Sequence, residues 1–188
     1  MATLSVGGTE IATSSGVTFP TGHVLQTLQG GNTVASSGTI GLHTATPSTL
    51  PTVVSCPITP SSASSKILVT FNVSLASSGG SAAVRLLRDS TEIGIGDAGG
   101  TRLRTMIALG NGLGAVDGHD YSSPTQHGMY LDDISDSPAW TSGAITYYVK
   151  ISMYNASTYY INRSVQDREA ASGYDARASS WIILQEIA

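Results

Sequence analysis

The sequence predicts an all-β protein, an antiparallel β-sandwich of the jelly-roll kind with an extended N-terminal arm or stalk. Three observations lead to this prediction. Apolar and polar residues alternate in several separated runs, no long run has the 3.6-residue period of a helix, and turn-rich segments divide the runs. Many short strands joined by such turns are typical of antiparallel sandwiches. The chain of 188 residues is long enough for one sizeable domain.

Residues 1–49 are predicted to form an extended anchoring or stalk segment, and residues 50–188 the sandwich head domain. The first segment has short β-type pieces among glycine and hydroxyl residues, and too little apolar mass for a core of its own. Ordering it therefore requires contacts with the head, with a second copy or with a larger assembly. The residues predicted to make this anchoring contact are Val17, Phe19, Val24 and Leu25.

The head domain contains three clearly alternating runs. KILVTFNVSL (66–75) and AITYYVKISMY (144–154) each place apolar side chains on one face and mostly polar ones on the other. The closing run WIILQEI (181–187) is apolar on both faces, which indicates a strand inside the sandwich or at a subunit contact. Weaker strands are predicted at Val53–Ile58, Ala83–Arg88, Thr91–Ile95, Thr101–Ala108, Gly128–Ile134 and Tyr159–Val165.

A group of charged residues, Arg85, Arg88, Asp89 and Glu92, stands out in a chain with few charges. We interpret it as a hairpin whose turn is Asp89-Ser90, because Asp and Ser side chains bond nearby backbone amides. The odd spacing of the two arginines keeps them off a common face of the strand. We expect them to be solvated and to contribute a surface ion pair of about 0–1 kcal/mol. A charged recognition patch is the alternative.

Composition excludes several classes of function. The formal net charge of −4 argues against a nucleic-acid surface, and no apolar run approaches the ~20 residues that a membrane-spanning helix needs. The first residues lack the basic start and apolar core of a signal peptide, so we expect a soluble protein made in a cytoplasm, without membrane insertion. The single cysteine, Cys56, cannot form an intrachain disulfide and is predicted to be a small buried group.

The stretch VDGHDYSSPTQHGMYLDDISDSP (116–138) is the richest in groups that could carry chemistry. Its acids could hold a calcium ion, its serines and histidines could be combined into a hydrolase site, or it could be an exposed loop that contacts a partner or water. We favour the loop and predict no catalytic residue, no metal site and no cofactor. The groups concerned are Asp117, Asp120 and Asp132 for calcium, and Ser122, Ser123, His119 and His127 for a hydrolase.

A recognition surface is predicted from the same stretch and from the aromatic residues. Tyrosine outnumbers phenylalanine by eight to two, and its apolar ring with a polar tip suits subunit contacts and ligand surfaces. Core packing or a place on a sheet face is the structural alternative for these tyrosines, and a glycan-binding platform is the functional one. The predicted recognition residues are His119, Asp120, Tyr121, Trp140, Tyr159 and Tyr160.

Several phrases of the sequence resemble tail-fibre and head-decoration proteins of tailed bacteriophages. These phrases are GVTFPTGHVLQ, SSKILVTFNVSL, VRLLRDSTEIGIGD, YYVKISMYNASTYYINRS and SSWIILQEIA. The resemblance implies a jelly-roll head similar to those of C1q and tumour necrosis factor, assembled as a homotrimer. It also implies a virion protein made in the host bacterial cytoplasm. Such a protein docks on capsid or tail proteins, contacts a host-surface glycan or stabilises the capsid, and has no catalytic residues.

Overall fold

β-Strands make up almost all of the regular structure in the computed structural model. It describes residues 4–6, 9–13, 16–17, 20–40, 46–79, 81–109, 123–136, 138–153, 157–169 and 175–188. These residues contain no α-helix, only a 3₁₀ turn at Pro47–Thr49, and none belongs to a helix that could cross a membrane. The strands are β1 (Leu4–Val6), β2 (Thr9–Thr13), β3 (Gly16–Val17), β4 (Val24–Asn32), β5 (Ser36–Ile40), β6 (Thr52–Ile58), β7 (Lys66–Ser77), β8 (Ala82–Arg88), β9 (Thr91–Ile93), β10 (Ile107–Ala108), β11 (Thr125–Asp133), β12 (Ile145–Met153), β13 (Ser157–Ile161) and β14 (Ser180–Ile187).

Six strands form what we call the front sheet. β7 lies between β11 and β14, and β4 lies on the far side of β14. The last residues of β7 pair with β13 instead of β14, and β13 pairs in turn with β5. Every pairing in this sheet is antiparallel, as the sequence predicts.

Five strands form the back sheet. β12 is flanked by β6 and β8, and the other edge of β8 pairs with both β9 and β10. These pairings are also antiparallel. The all-β, antiparallel character predicted from the alternating runs is therefore confirmed.

The main pairings of the two sheets are nested along the chain. β4 pairs with β14, β6 with β12, β7 with β11, and β8 with β9. Two further pairings, β7 with β14 and β8 with β12, join these pairs side by side into the two sheets. The strands of these nested pairs thus follow the order β4-β14-β7-β11 in the front sheet and β6-β12-β8-β9 in the back sheet, and β5, β10 and β13 are additional.

One hydrophobic core lies between the two sheets. The predicted alternation of β7 holds, because Val69 and Phe71 are buried while Thr70 between them is only half-buried. Leu86 and Val149 contribute from the back sheet to the same cluster. Both sheets therefore depend on each other for burial, since apolar area removed from water stabilises by roughly 25 cal/mol per Å².

The hairpin predicted around Asp89-Ser90 is confirmed, since β8 and β9 pair across that turn. Three predicted strands are shorter in the structure than in the sequence analysis. The strand expected at 91–95 is Thr91–Ile93. In the range 101–108 only Ile107–Ala108 is a strand. The strand expected at 159–165 ends at Ile161, because Asn162 adopts a left-handed backbone with φ of 58°.

Two strands of the front sheet, β4 and β5, lie within the segment that was predicted to be an arm. β4 and β5 pair with the C-terminal strands β14 and β13, so residues 24–40 belong to the same sheets as the head. The predicted boundary between residues 49 and 50 therefore does not coincide with the start of the sheet. Edge position explains the polar, glycine-rich sequence of β4, since its burial pattern has no fully buried residue. β1, β2 and β3 form a separate antiparallel sheet.

Candidate functional site

The residues predicted for anchoring occupy different parts of the chain. Val24 and Leu25 open β4, where Val24 lies opposite Ile187 and is 43% exposed. Val17 belongs to β3 in the separate small sheet, and Phe19 lies outside the described residues. Of the two anchoring residues whose side chains the structure describes, Val24 is exposed and Leu25 is half-buried.

The structure describes three of the six predicted recognition residues: Trp140, Tyr159 and Tyr160. His119, Asp120 and Tyr121 lie outside the described residues. Tyr159 packs against the core, while Tyr160, its neighbour on β13, lies with its ring 5.1 Å from the Arg163 guanidinium. Successive residues of a strand point to opposite faces, so these two rings cannot stack on one ligand together. Trp140 lies in the loop between β11 and β12 and packs partly against the core.

The outer side of the front sheet carries a surface that we call the front face. It consists of three residues from each of four adjacent strands, which the strand register and the alternation of side chains place together. None of these side chains is an acid, a lysine or an arginine. The residues are His127, Met129 and Leu131 of β11, Leu68, Thr70 and Asn72 of β7, Trp181, Ile183 and Gln185 of β14, and Thr27, Gln29 and Gly31 of β4.

Large apolar groups of the front face are open to solvent. Met129 is 69% exposed and Leu131 is 48% exposed. Trp181 and Ile183 of β14 are half-buried on the same face, where β7 separates them from β11. At one end of the face an ion pair between Lys66 and Asp133, 3.3 Å apart, supplies charge. An apolar, charge-poor centre with charges at its margin is the composition found in protein–protein interfaces.

One polar atom of the front face is buried without a hydrogen-bond partner among the residues that the structure describes. It is the side-chain oxygen Oδ1 of Asn72. His127 and Trp181 flank Asn72 on the two neighbouring strands. A buried acceptor without a donor costs about 1–3 kcal/mol.

The expectation that Arg85 and Arg88 are solvated was wrong. Both are at least 95% buried, with exposed fractions of 5% and 4%. Arg85 makes a bidentate ion pair with Glu92 of β9, and Arg88 pairs with Asp132 of β11. Their placement on opposite faces of β8 explains the difference, because each face is covered by other parts of the chain. The two arginines of this hairpin therefore form buried ion pairs that link β8 to β9 and to β11.

Arg88, Asp132 and Tyr147 connect the two sheets inside the protein. Asp132 Oδ2 accepts hydrogen bonds from Arg88 Nη1 at 3.1 Å and from the Tyr147 hydroxyl at 2.6 Å. Burial raises the pKa of Asp132, and the bond from Tyr147 and the charge of Arg88 oppose that rise. Burial, reinforced by the bond to Asp132, raises the pKa of Tyr147.

The Asp132 carboxylate thus already has hydrogen-bond partners inside the protein, which argues against its predicted alternative role as a calcium ligand. Asp117 and Asp120, the other two ligands of that alternative, lie outside the described residues. Within the described ranges, no group of three or more His, Cys, Asp or Glu side chains could hold a metal ion. Cys56 is buried as predicted, and burial raises the pKa of its thiol.

Two of the four residues named for the hydrolase alternative, Ser123 and His127, are among the described residues. The Ser123 hydroxyl lies 2.6 Å from the Ser74 hydroxyl, and His127 is an exposed residue of β11 on the front face. His119 and Ser122 lie outside the described residues.

The sequence signal for the front face was present only in part. The closing run was singled out as apolar on both faces, and Trp181 and Ile183 are indeed on the front face. Met129 and Leu131 alternate with Tyr130 and Asp132, a period-two pattern that could have been read. The register that aligns the four strands could not be predicted from the sequence.

A scan of protein-family models gives no match to this chain, and a search of curated proteins gives none either.

Proposed function

We propose that this chain is a structural protein of a tailed-phage virion: a short homotrimeric fibre, spike or capsid-decoration protein. It attaches to capsid or tail proteins through its N-terminal segment and presents its β head for host-surface contact or capsid stabilisation. The front face is the observation that carries the proposal. Its large apolar side chains and lack of charge suit burial against copies of the same chain.

Self-association would remove the exposed side chains of Met129 and Leu131 from water. Three-fold symmetry is taken from the sequence resemblance to trimeric phage proteins.

The strand order supports a head of the jelly-roll type. In a jelly roll, eight strands pair first with last, second with seventh, third with sixth and fourth with fifth, and the doubled ribbon rolls into two sheets. The nested pairs of this chain, from β4–β14 inward to β8–β9, follow that scheme. β5 and β13 extend the front sheet, and β10 extends the back sheet.

Light scattering of the purified chain tests the assembly. We expect a mass near three subunits for the natural sequence. Met129→Glu combined with Leu131→Glu should yield monomers, because both side chains are exposed in the single subunit and their charges would be buried in the assembly. Circular dichroism should show that the double variant keeps its β structure.

The matched control is Val34→Glu, which also places a carboxylate at an exposed apolar residue, 68% accessible, but lies outside the front face. It should remain trimeric. A natural chain that is monomeric at all concentrations contradicts the assembly, and a stable dimer contradicts the three-fold symmetry. The virion assignment is tested separately by cryo-EM of intact virions of the encoding phage, where absence from both head and tail would contradict it.

A carbohydrate-binding module is the second candidate function. It is favoured by Trp140, which lines a surface cleft together with hydroxyl-bearing residues. The two functions are compatible, because none of the residues of the front face lines that cleft.

A further inference from the structure

A cleft of about 270 Å³ lies between the β8–β9 turn and the loop that joins β11 to β12. Small-molecule sites usually occupy about 300–1,000 Å³, so this cleft lies just below that range and has room only for a small ligand. Its two walls come from segments far apart in the sequence. Asp89, Ser90 and Thr91 form one side, and Trp140, Thr141 and Ser142 form the other.

The aromatic wall of the cleft is held in place by hydrogen bonds. The Trp140 indole Nε1–H donates to the Gly143 carbonyl at 2.9 Å, and its backbone N–H donates to the Ile134 carbonyl at 2.8 Å. Gly143 adopts a φ of +84°, a backbone conformation that glycine accepts without strain. With its donor satisfied, the indole offers a fixed apolar ring to a ligand.

Arg88 lies at the base of the cleft, and its charge is already neutralised by Asp132. Its Nη1 donates to Asp132 Oδ2 and to the Asp133 carbonyl, at 3.1 and 3.3 Å. Its Nη2 donates to the carbonyls of Asp136 and Pro138, at 3.2 and 3.0 Å. Arg88 therefore positions the loop wall, and its four terminal N–H donors are already engaged by the protein.

The opposite wall is equally fixed. The Asp89 backbone N–H donates to the Thr146 carbonyl at 2.8 Å, and Asp89 Oδ1 accepts from the Thr146 N–H at 2.8 Å. Ser90 and Thr91, which carry hydroxyl groups, also line the cleft. A preformed site avoids the cost of ordering its groups when a ligand binds.

We propose that this cleft binds a neutral saccharide. An apolar ring wall accommodates the C–H face of a sugar ring, and hydroxyl and carboxylate groups exchange hydrogen bonds with its hydroxyls. An acidic sugar is disfavoured, because the carboxylate of Asp89 lines the cleft and the base cation is neutralised internally. The proposed function includes contact with a host surface, and this site names the class of ligand for that contact. The biological role of the site rests on that part of the proposed function.

The test uses the full-length chain on a glycan array containing neutral and acidic oligosaccharides, followed by titration calorimetry with the strongest neutral ligand. Ala139→Arg and Ala144→Arg fill the cleft from two exposed residues that line it. Each should weaken binding at least tenfold. Ala176→Arg, the same change at an exposed residue that does not line the cleft, should leave affinity unchanged. Because alanine carries no polar side chain, these variants break no side-chain hydrogen bond.

Absence of binding to every neutral oligosaccharide would overturn the proposal, and so would binding to acidic sugars alone. Neutral-sugar binding that survives both cleft variants would place the site elsewhere and also overturn it. The mass of each sample is measured in parallel. A trimer that binds no sugar contradicts this site and leaves the assembly standing, whereas a monomer that binds sugar contradicts the assembly and leaves this site standing.

Discussion

Glu186 is a buried carboxylate that is held by neutral donors. It is fully buried on β14, where Gln26 Nε2 donates to it at 2.6 Å. The Ser61 backbone N–H, the Ser61 hydroxyl and the Ser65 hydroxyl each donate to its Oε1 at 2.7 Å. Burial by itself raises the pKa of Glu186, but these hydrogen bonds together lower it below the ordinary value of 4.5. The ionised form therefore ties β14 to β4 and to the segment between β6 and β7.

We predict that Glu186→Gln lowers the free energy of unfolding at pH 7 by about 2–3 kcal/mol, since charge-assisted bonds are lost and an amide donor meets other donors. A carboxyl whose folded pKa is lowered stabilises above its unfolded pKa, and this contribution disappears as the pH falls through the folded pKa. The difference between natural protein and variant should thus be constant near neutral pH and shrink below about pH 4.5.

Urea unfolding between pH 7 and pH 3 measures that difference. Asp133 and Asp175 also have lowered pKa values, but they titrate in both proteins and cancel in the comparison. Glu169→Gln, at an exposed glutamate, is the control and should change stability little at any pH. A Glu186→Gln difference that stays the same down to pH 3 would show that the carboxylate charge contributes nothing to stability.

β4 shows how an edge strand can depend on a single glycine. A methyl group at Gly30 would overlap the Ser55 carbonyl oxygen and lie 3.1 Å from Cys56 Cβ, both on β6 of the other sheet. At the next residue, Gly31, a methyl group would meet no atom within 4 Å. The difference follows from the strand period, which turns Gly30 toward the back sheet and Gly31 toward the front face.

We predict that Gly30→Ala destabilises by about 1–3 kcal/mol, because a backbone carbonyl cannot move aside as a flexible side chain can. Gly31→Ala should be neutral or stabilising by up to about 1 kcal/mol, since alanine narrows the unfolded ensemble. Chemical unfolding of both variants at equal concentration gives the comparison. Equal effects of the two substitutions would mean that β4 does not approach β6 as closely as the structure shows.

The same strand shows why the sequence predicted only part of the fold. β7 and β12 were predicted because burial of one face imposes a period of two on their residues. In the second half of β4 the inner face must contain Gly30 to admit the Ser55 carbonyl, so close packing removed the apolar residue that would have marked this part of the strand. Long-range register has no local signature, which is why Arg88 and Asp132 were not predicted to meet.

The front face is a property of the whole molecule, because its four strands come from both ends and from the middle of the chain. Its side chains are uncharged, and two of them are large, apolar and exposed in the single subunit. If three copies bury these faces together, folding and assembly become one equilibrium. Stability must then depend on protein concentration.

We predict that the melting temperature rises by about 5 °C when the subunit concentration increases from about 1 to about 100 µM. For a trimer that dissociates as it unfolds, mass action adds two-thirds of RT ln 100, or about 1.8 kcal/mol per subunit. An unfolding entropy of about 2.1 cal/mol/K per residue for 188 residues converts this energy into the predicted shift. Calorimetry at slow scan rates measures it. The Met129→Glu, Leu131→Glu double variant should melt at one temperature throughout this range, and a natural protein that does the same would contradict coupled assembly.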